Sequence, residues 1–191
     1  MLSKISNEAI EKINKMTLVE YEEPKFKLNK VAELAAIDAT PKEIQNWTLR
    51  GFLTPTQSAP RKTKLYSLYN VIQASVIGHI VQSNAFTVAA SIALAIANRG
   101  GNLIAEEYDF LGNFEANTLG FYYYTVLGDQ EKGIFVDNQE LSKIVLGEKA
   151  VPGIIGVEKR FLACDELIFD VLLNYVNSKW FYKHDERGYP T

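Results

Sequence analysis

Hydrophobic positions recur at helical spacing through the first hundred residues, and a period of two appears only after Gly101. Ile10, Ile13 and Met16 form the apolar side of a short helix predicted over Ser6 to Met16. Thr17 to Lys25 read as a connection, with Glu20 to Pro24, EYEEP, as an exposed linker. From Leu28 to Ile37, Val31, Leu34, Ala35 and Ile37 fall near one face while Lys30 and Glu33 fall outside it, which predicts a second helix. A third helix has a stronger start signal: Thr40 as N-cap, Pro41 at the first helical position and Glu43 completing a capping box. Ile44 and Trp47 supply its apolar contact, with Leu49 near it, and Gly51 follows Arg50 where a left-handed C-cap residue is expected. Only Asp38, Ala39 and Thr40 separate the two helices, the length of a helix-turn-helix turn.

Past Gly51, Phe52 and Leu53 are expected in the core, and Thr54-Pro55 and Ala59-Pro60 break regular structure before Arg61, Lys62 and Lys64 arrive together. A wing fits this layout, with basic side chains reaching backbone phosphates while the second helix of the pair enters the groove. The candidate DNA-binding residues are Thr40, Lys42, Gln45, Asn46 and Arg50 on or beside that helix, and Arg61, Lys62, Lys64 and Tyr66 on the wing. Gln45 and Asn46 are placed to read base edges; Trp47 is expected in the core.

VAEL, the helix ending in W-x-x-RGFLTP and the wing closing on K-L-Y-S resemble the MerR-type DNA-binding domain, over Phe26 to roughly Ile92. In that family the recognition helix reads leucine-arginine-tyrosine-tyrosine or tryptophan, followed by glycine, two aliphatics and proline. Ile44, Gln45, Asn46 and Trp47, then Gly51, Phe52, Leu53 and Pro55, occupy those positions. The family's wing ends in glycine-tyrosine-arginine-leucine-tyrosine, matched in its last four residues by Thr63, Lys64, Leu65 and Tyr66. The resemblance implies DNA binding, whereas Gln45 and Asn46 depart from the usual arginine and aromatic, so the family's operator preferences do not carry over. It also aligns Asn84 to Val88 with the family's turn into a further helix. The long dimerising coiled coil that follows in the family has no counterpart, because Arg99-Gly100-Gly101 is expected to stop the helix and no heptad run follows.

Ser67 to Asn98 contains no Asp, Glu, Lys or Arg. Gln73, His79, Gln82, Ser83 and Asn84 interrupt its apolar runs, which argues against a membrane span and for two buried helices, capped by Ser67 and Thr87. Their remaining apolar surface calls for cover from the C-terminal half or from a second subunit, so a homodimer is expected. Beyond Gly101, Leu119 to Leu127 predicts a strand, Gly133 to Val136 its hairpin partner, Asn138 the cap of a helix ending at Gly147, and Val151 to Val157 another strand. A last helix is predicted over Phe161 to Val176, with Phe161, Cys164, Ile168, Val171, Leu172 and Tyr175 on one face.

The expected architecture is therefore a mixed α/β (α+β) fold with three parts. Residues 1–25 form an N-terminal helix and linker, 26–99 a winged helix-turn-helix with extra helices, and 100–191 a small α+β module for effector sensing or oligomerisation. Charge follows this division although the whole chain carries a net charge of -3: Phe26 to Tyr66 holds seven Lys/Arg against three Asp/Glu, Gly101 to Thr191 eight against fifteen. The acidic half is expected to lie away from DNA. The mixed-charge N-terminus offers no apolar signal core, and Cys164 is the single cysteine, so a cytoplasmic setting is expected.

Tyr122 to Tyr124 are expected to divide between core and surface, as alternate strand positions do, with an effector pocket the less favoured reading. His79 and Cys164 are expected as core residues. Relatives in the MerR family sense metals through paired cysteines; one cysteine and two distant histidines, His79 and His184, give no metal site, and no cofactor is expected. Glu106, Glu107 and Asp109 read as a solvated loop, and neither a P-loop, a nucleophile elbow nor a zinc-protease motif is present, so no enzyme is expected. The leading expectation is a transcriptional regulator acting on double-stranded DNA, with a small molecule or a protein as effector at the C-terminal module. The alternatives are an architectural DNA-binding protein of the excisionase type and a protein-interaction adaptor.

Overall fold

The computed structural model describes residues 6–35, 37, 39–56, 64–81, 86–127, 130–151 and 159–183. Among these residues it is mixed α/β, with helices throughout and a small antiparallel sheet in the second half. Helix α1 (Asn7–Asn14) starts at Ser6, whose Oγ accepts from the Ala9 N–H at 3.2 Å, and buries Ala9 and Ile13. A helix α2 (Leu18–Glu22) takes up the first three residues of the expected linker, leaving Glu23 and Pro24 outside it: Thr17 caps it, and the single aromatic of the charged run, Tyr21, is fully buried with its hydroxyl donating to the Ala97 carbonyl at 2.7 Å. A five-residue helix shows too little of a repeat for periodicity to reveal it.

Helices α3 (Leu28–Leu34) and α4 (Pro41–Leu49) form the expected helix pair, and α5 (Leu68–Ile80) follows the loop. Helix α6 (Phe86–Ala105) corrects a second expectation, because it runs straight through Arg99-Gly100-Gly101. Gly100 is used for close approach: a Cβ there would lie 2.7 Å from the Tyr21 hydroxyl and 3.2 Å from Ile72 Cδ1. By length and composition α6 is the one helix among the described residues that could cross a membrane, but half of it is buried inside the fold, where it packs against α5 and α2.

Glu106, Glu107 and Asp109 are exposed in the turn after α6, as expected of a loop, and Asp109 caps the helix that follows, α7 (Phe110–Glu115). Strands β1 (Gly120–Leu127) and β2 (Gln130–Asp137) form the expected hairpin, with Tyr122 opposite Phe135 and Tyr123 opposite Ile134. Helix α8 (Asn138–Val145) is capped by Asp137 rather than Asn138, with Gly147 at φ 77° beyond its end. Residues 152–158, which hold most of the strand expected at Val151 to Val157, lie outside the described residues. Strand β3 (Lys159–Leu162) adds to β1, giving the order β2-β1-β3, and helix α9 (Cys164–Lys183) is the last element among the described residues. Phe161 is therefore a strand residue, 58% exposed, while Cys164, Ile168, Val171, Leu172 and Tyr175 are buried as expected.

All three tyrosines of β1 are buried, so the expectation of half surface fails. Tyr122 and Tyr124 enter the main core, whereas Tyr123 packs on the other face with Val136, Leu141 and Ile144 of a second cluster supplied by β2 and α8. The main core is continuous from Ala9 to Val176. Packing therefore does not follow the divisions at 25 and 99, and the second falls inside α6. Of the two covers expected for the apolar surface of α5 and α6, the C-terminal half or a second subunit, the chain supplies the first through α9, together with α2.

An ion pair that no local sequence pattern announces joins α6 to α9. Asp165, fully buried, accepts from Arg99 Nε at 2.5 Å and Nη2 at 2.7 Å, from the Gly120 N–H at 2.7 Å and from the Tyr108 hydroxyl at 3.2 Å. Burial pushes the Asp165 carboxyl up, but the hydrogen bonds and charge of Arg99, with the Gly120 N–H, outweigh burial and hold it below its ordinary value. Beside it the Cys164 thiol donates to the Gly120 carbonyl at 3.1 Å, and burial raises its pKa far above the ordinary thiol range.

Candidate nucleic-acid interface

Helix α4 is fixed at both ends by local chemistry. The Glu43 N–H donates to Thr40 Oγ1 at 3.3 Å, while the Glu43 carboxylate accepts the Thr40 N–H at 2.7 Å and its hydroxyl at 2.8 Å. Those two bonds, the backbone one first, hold the Glu43 carboxyl below its ordinary value. At the other end Arg50 is the C-cap and Gly51 adopts φ 76°, which a side chain would strain. Ile44, Trp47 and Thr48 face inward, with Val31 and Leu34 of α3 in the same core. Trp47 is a core residue, as expected.

The outward face carries Lys42, Gln45, Asn46 and Leu49, with Arg50 at its edge, and all are exposed. At about 100° per residue, the first four fall within an arc of roughly 100° directly opposite the buried side. Arg50 is steadied from below: its guanidinium lies 5.7 Å from the ring centroid of Phe86, which stacks on Phe52 at 5.1 Å. Among the described residues Lys42, Arg50 and Lys64 take part in none of the ion pairs, so their charge is available to an anion. Thr40 uses its hydroxyl in the capping box, which makes it a support for α4 before it is a contact.

Tyr66 departs from the expectation of a surface contact. It is 2% exposed, exchanges backbone hydrogen bonds of 2.9 Å with Phe26 in an isolated antiparallel bridge, and its hydroxyl lies 3.0 Å from Thr48 Oγ1. Since the Thr48 hydroxyl donates to the Ile44 carbonyl, the Tyr66 hydroxyl is the donor to Thr48 and props the inward side of α4. Arg61 and Lys62, the other wing cations expected at the interface, lie outside the described residues; Lys64 is described and exposed.

Asn70, not among the candidates expected from sequence, anchors the base of the loop. Its Oδ1 accepts from the Thr56 N–H at 3.0 Å and from the Ser67 N–H at 3.2 Å, and its Nδ2 donates to the Thr54 carbonyl at 2.8 Å. Both ends of the segment between Thr56 and Ser67 are thus tied to one buried side chain. Its signal in the sequence is its place three residues after the N-cap Ser67.

His79 also departs from expectation, being exposed on α5 with Nδ1 2.8 Å from the Ser75 carbonyl oxygen. It borders a shallow cleft of about 300 Å³ between Ala35 at the end of α3 and Glu166, Leu167 and Asp170 of α9. Partial burial, then the Glu166 charge, raises the Asp170 pKa against an opposing effect of His79. Among the described residues no cluster of three His, Cys, Asp or Glu side chains is placed to hold a metal ion. No family model matches the chain, and no curated protein matches it.

Proposed function

We propose that the chain is a sequence-specific DNA-binding regulator of transcription that uses a MerR-like winged helix-turn-helix. The observation that carries the reading is α4: a helix capped at both ends, buried along one side, and presenting Lys42, Gln45, Asn46 and Arg50 together on the other. Lysine and arginine neutralise phosphates, and the two amides supply the donor-acceptor pairs that read base edges in a major groove. Asn70 and Tyr66 support the reading from behind, because they fix the loop base and the back of α4 relative to each other. Because α6 is committed to the core, a homodimer would use a surface other than the family's coiled coil, and recognition rather than promoter twisting is the activity proposed. The second half of the chain, packed directly on α3 and α5 through α9, is proposed as the effector or oligomerisation part of a cytoplasmic regulator.

The test is selection of bound fragments from the source genome by purified protein, followed by salt titration on the recovered site. Arg61→Ala with Lys62→Ala, and separately Lys42→Ala with Lys64→Ala, should each weaken binding to all DNA and flatten the salt dependence, by about 0.9 in slope per lost phosphate contact. Gln45→Ala or Asn46→Ala should instead relax preference at one or two base pairs, by roughly 1 to 3 kcal/mol per lost bidentate contact. Recovery of no sequence above input, or salt slopes that no cationic substitution changes, would overturn the reading.

A further inference from the structure

We propose that Leu49 is a specificity-determining residue that recognises the C5-methyl group of thymine in the major groove, an inference that rests on the DNA-binding reading of α4. Leu49 is the last residue of α4 and 69% exposed, the most exposed large apolar side chain of the helix pair. A lone exposed leucine is ordinary on a protein surface. The position of this one is informative. At about 100° per residue it lies within roughly 20° of Lys42 around the axis, opposite Ile44, Trp47 and Thr48, in the middle of the polar face. The fold gives Leu49 no partner in the core, and the caps at Thr40 and Gly51 leave it no freedom to turn inward.

A partner for this face must be anionic near Lys42 and Arg50, must satisfy the amides of Gln45 and Asn46, and must present an apolar group to Leu49. Duplex DNA meets all three conditions in its major groove, where the thymine methyl is the apolar feature among the donors and acceptors. The seven steps from Lys42 to Leu49 span about 10 Å of helix, about the rise of three base pairs. A thymine read by Leu49 is therefore expected within about three base pairs of the phosphate contact of Lys42.

The experiment replaces each thymine of the recovered operator, one at a time, with deoxyuridine, which removes the methyl and leaves the pairing edge intact. Binding is measured for the wild type and for Leu49→Ala and Leu49→Gln. Wild-type affinity should fall by about fourfold at one or two positions, the effect of removing one buried methyl group. The variants should bind thymine and deoxyuridine operators equally, keep the salt slope of the wild type and melt at the same temperature, since Leu49 supports no packing. Sensitivity that persists in Leu49→Ala, indifference of the wild type at every thymine, or an operator with no A·T pair within reach of α4 would overturn the inference while leaving DNA binding in place. A wild-type protein that selects no DNA would remove both.

Discussion

Adjacent glycines in one helix are expected to respond to alanine with opposite signs. In an exposed helix interior, glycine to alanine gains about 1 kcal/mol. At Gly100 that gain meets an obstruction, because the new Cβ would sit 2.7 Å from the Tyr21 hydroxyl and 3.2 Å from Ile72 Cδ1. Tyr21 has nowhere to go: it is fully buried, its hydroxyl is bonded to the Ala97 carbonyl at 2.7 Å, and its ring sits edge-on to Tyr69 at 6.1 Å. Overpacking a core costs about 1 to 3 kcal/mol, and a displaced hydroxyl loses a hydrogen bond of about 1 kcal/mol. The net expectation for Gly100→Ala is a loss of about 1 to 3 kcal/mol. At Gly101 the nearest atoms, Leu18 Cδ1 and Tyr21 Cε1, are 3.5 Å away, an ordinary contact. Gly101→Ala should therefore stabilise by about 0.5 to 1 kcal/mol.

Urea titration with circular dichroism reads both, and thermal melts should shift by about 2 to 4 °C per kcal/mol for a chain of this size. A double-mutant cycle identifies the atom responsible. With Tyr21→Phe the oxygen is gone, and the remaining ring carbon, Tyr21 Cζ in the wild type, is 3.4 Å from the new Cβ, so Gly100→Ala should cost less in that background. Equal or greater stability of Gly100→Ala, or an unchanged penalty after Tyr21→Phe, would refute the argument.

Asp165→Asn should destabilise by about 2 to 4 kcal/mol, toward the lower end for a broken buried pair because Arg99 keeps 24% of its side chain exposed. A carboxyl held below its ordinary value of 3.8 contributes stability that is complete well above that pH and is lost as pH falls through its lower folded-state value. Urea midpoints of the wild type should therefore drop below about pH 4 more steeply than those of Asp165→Asn. Thr40→Ala removes the cap of α4 and should cost about 1 kcal/mol by the same denaturation assay, with no loss expected if the box were absent in solution. Asn70→Ala leaves the Thr54 carbonyl and the Thr56 and Ser67 N–H groups without their partner; a loss of about 1 to 3 kcal/mol and faster hydrogen exchange at Thr56 are expected.

The elements legible in the sequence are those specified by neighbouring residues. Thr40, Pro41, Glu43 and Gly51 lie within twelve positions and fix α4 by hydrogen bonds and backbone dihedrals that need nothing else from the fold. Strands β1 and β2 are legible for a related reason, since their register follows from a short connection. Tyr21 and Gly100 show the converse. Taken alone, a glycine pair ends a helix and EYEEP is a linker; together, 79 residues apart, the tyrosine packs where Gly100 lacks a Cβ, and both the glycine pair and Glu20 to Glu22 are helical. Arg99 and Asp165, separated by 66 positions, are another such pair, and nothing near either residue announces the other. The burial of Tyr123, the middle tyrosine of β1, likewise depends on α8 arriving to cover it.

The candidate interface divides along the same line, with one difference that bears on how such surfaces are read. Lys42, Gln45, Asn46 and Arg50 are identifiable because α4 is, whereas polarity alone groups Leu49 with Ile44 and Trp47. Five residues from Ile44 and two from Trp47, it stands about 140° and 160° away from them around the helix, so its angle contradicts its hydrophobicity. An inward position is constrained by the fold, and polarity predicts it well. An outward position is constrained by whatever the protein meets, and there an apolar side chain at the centre of a polar arc carries more information than another lysine would. That conflict between angle and polarity, legible in the spacing of the residues themselves, makes Leu49 rather than the wing cations the residue whose substitution most sharply separates a sequence reader from a general phosphate binder.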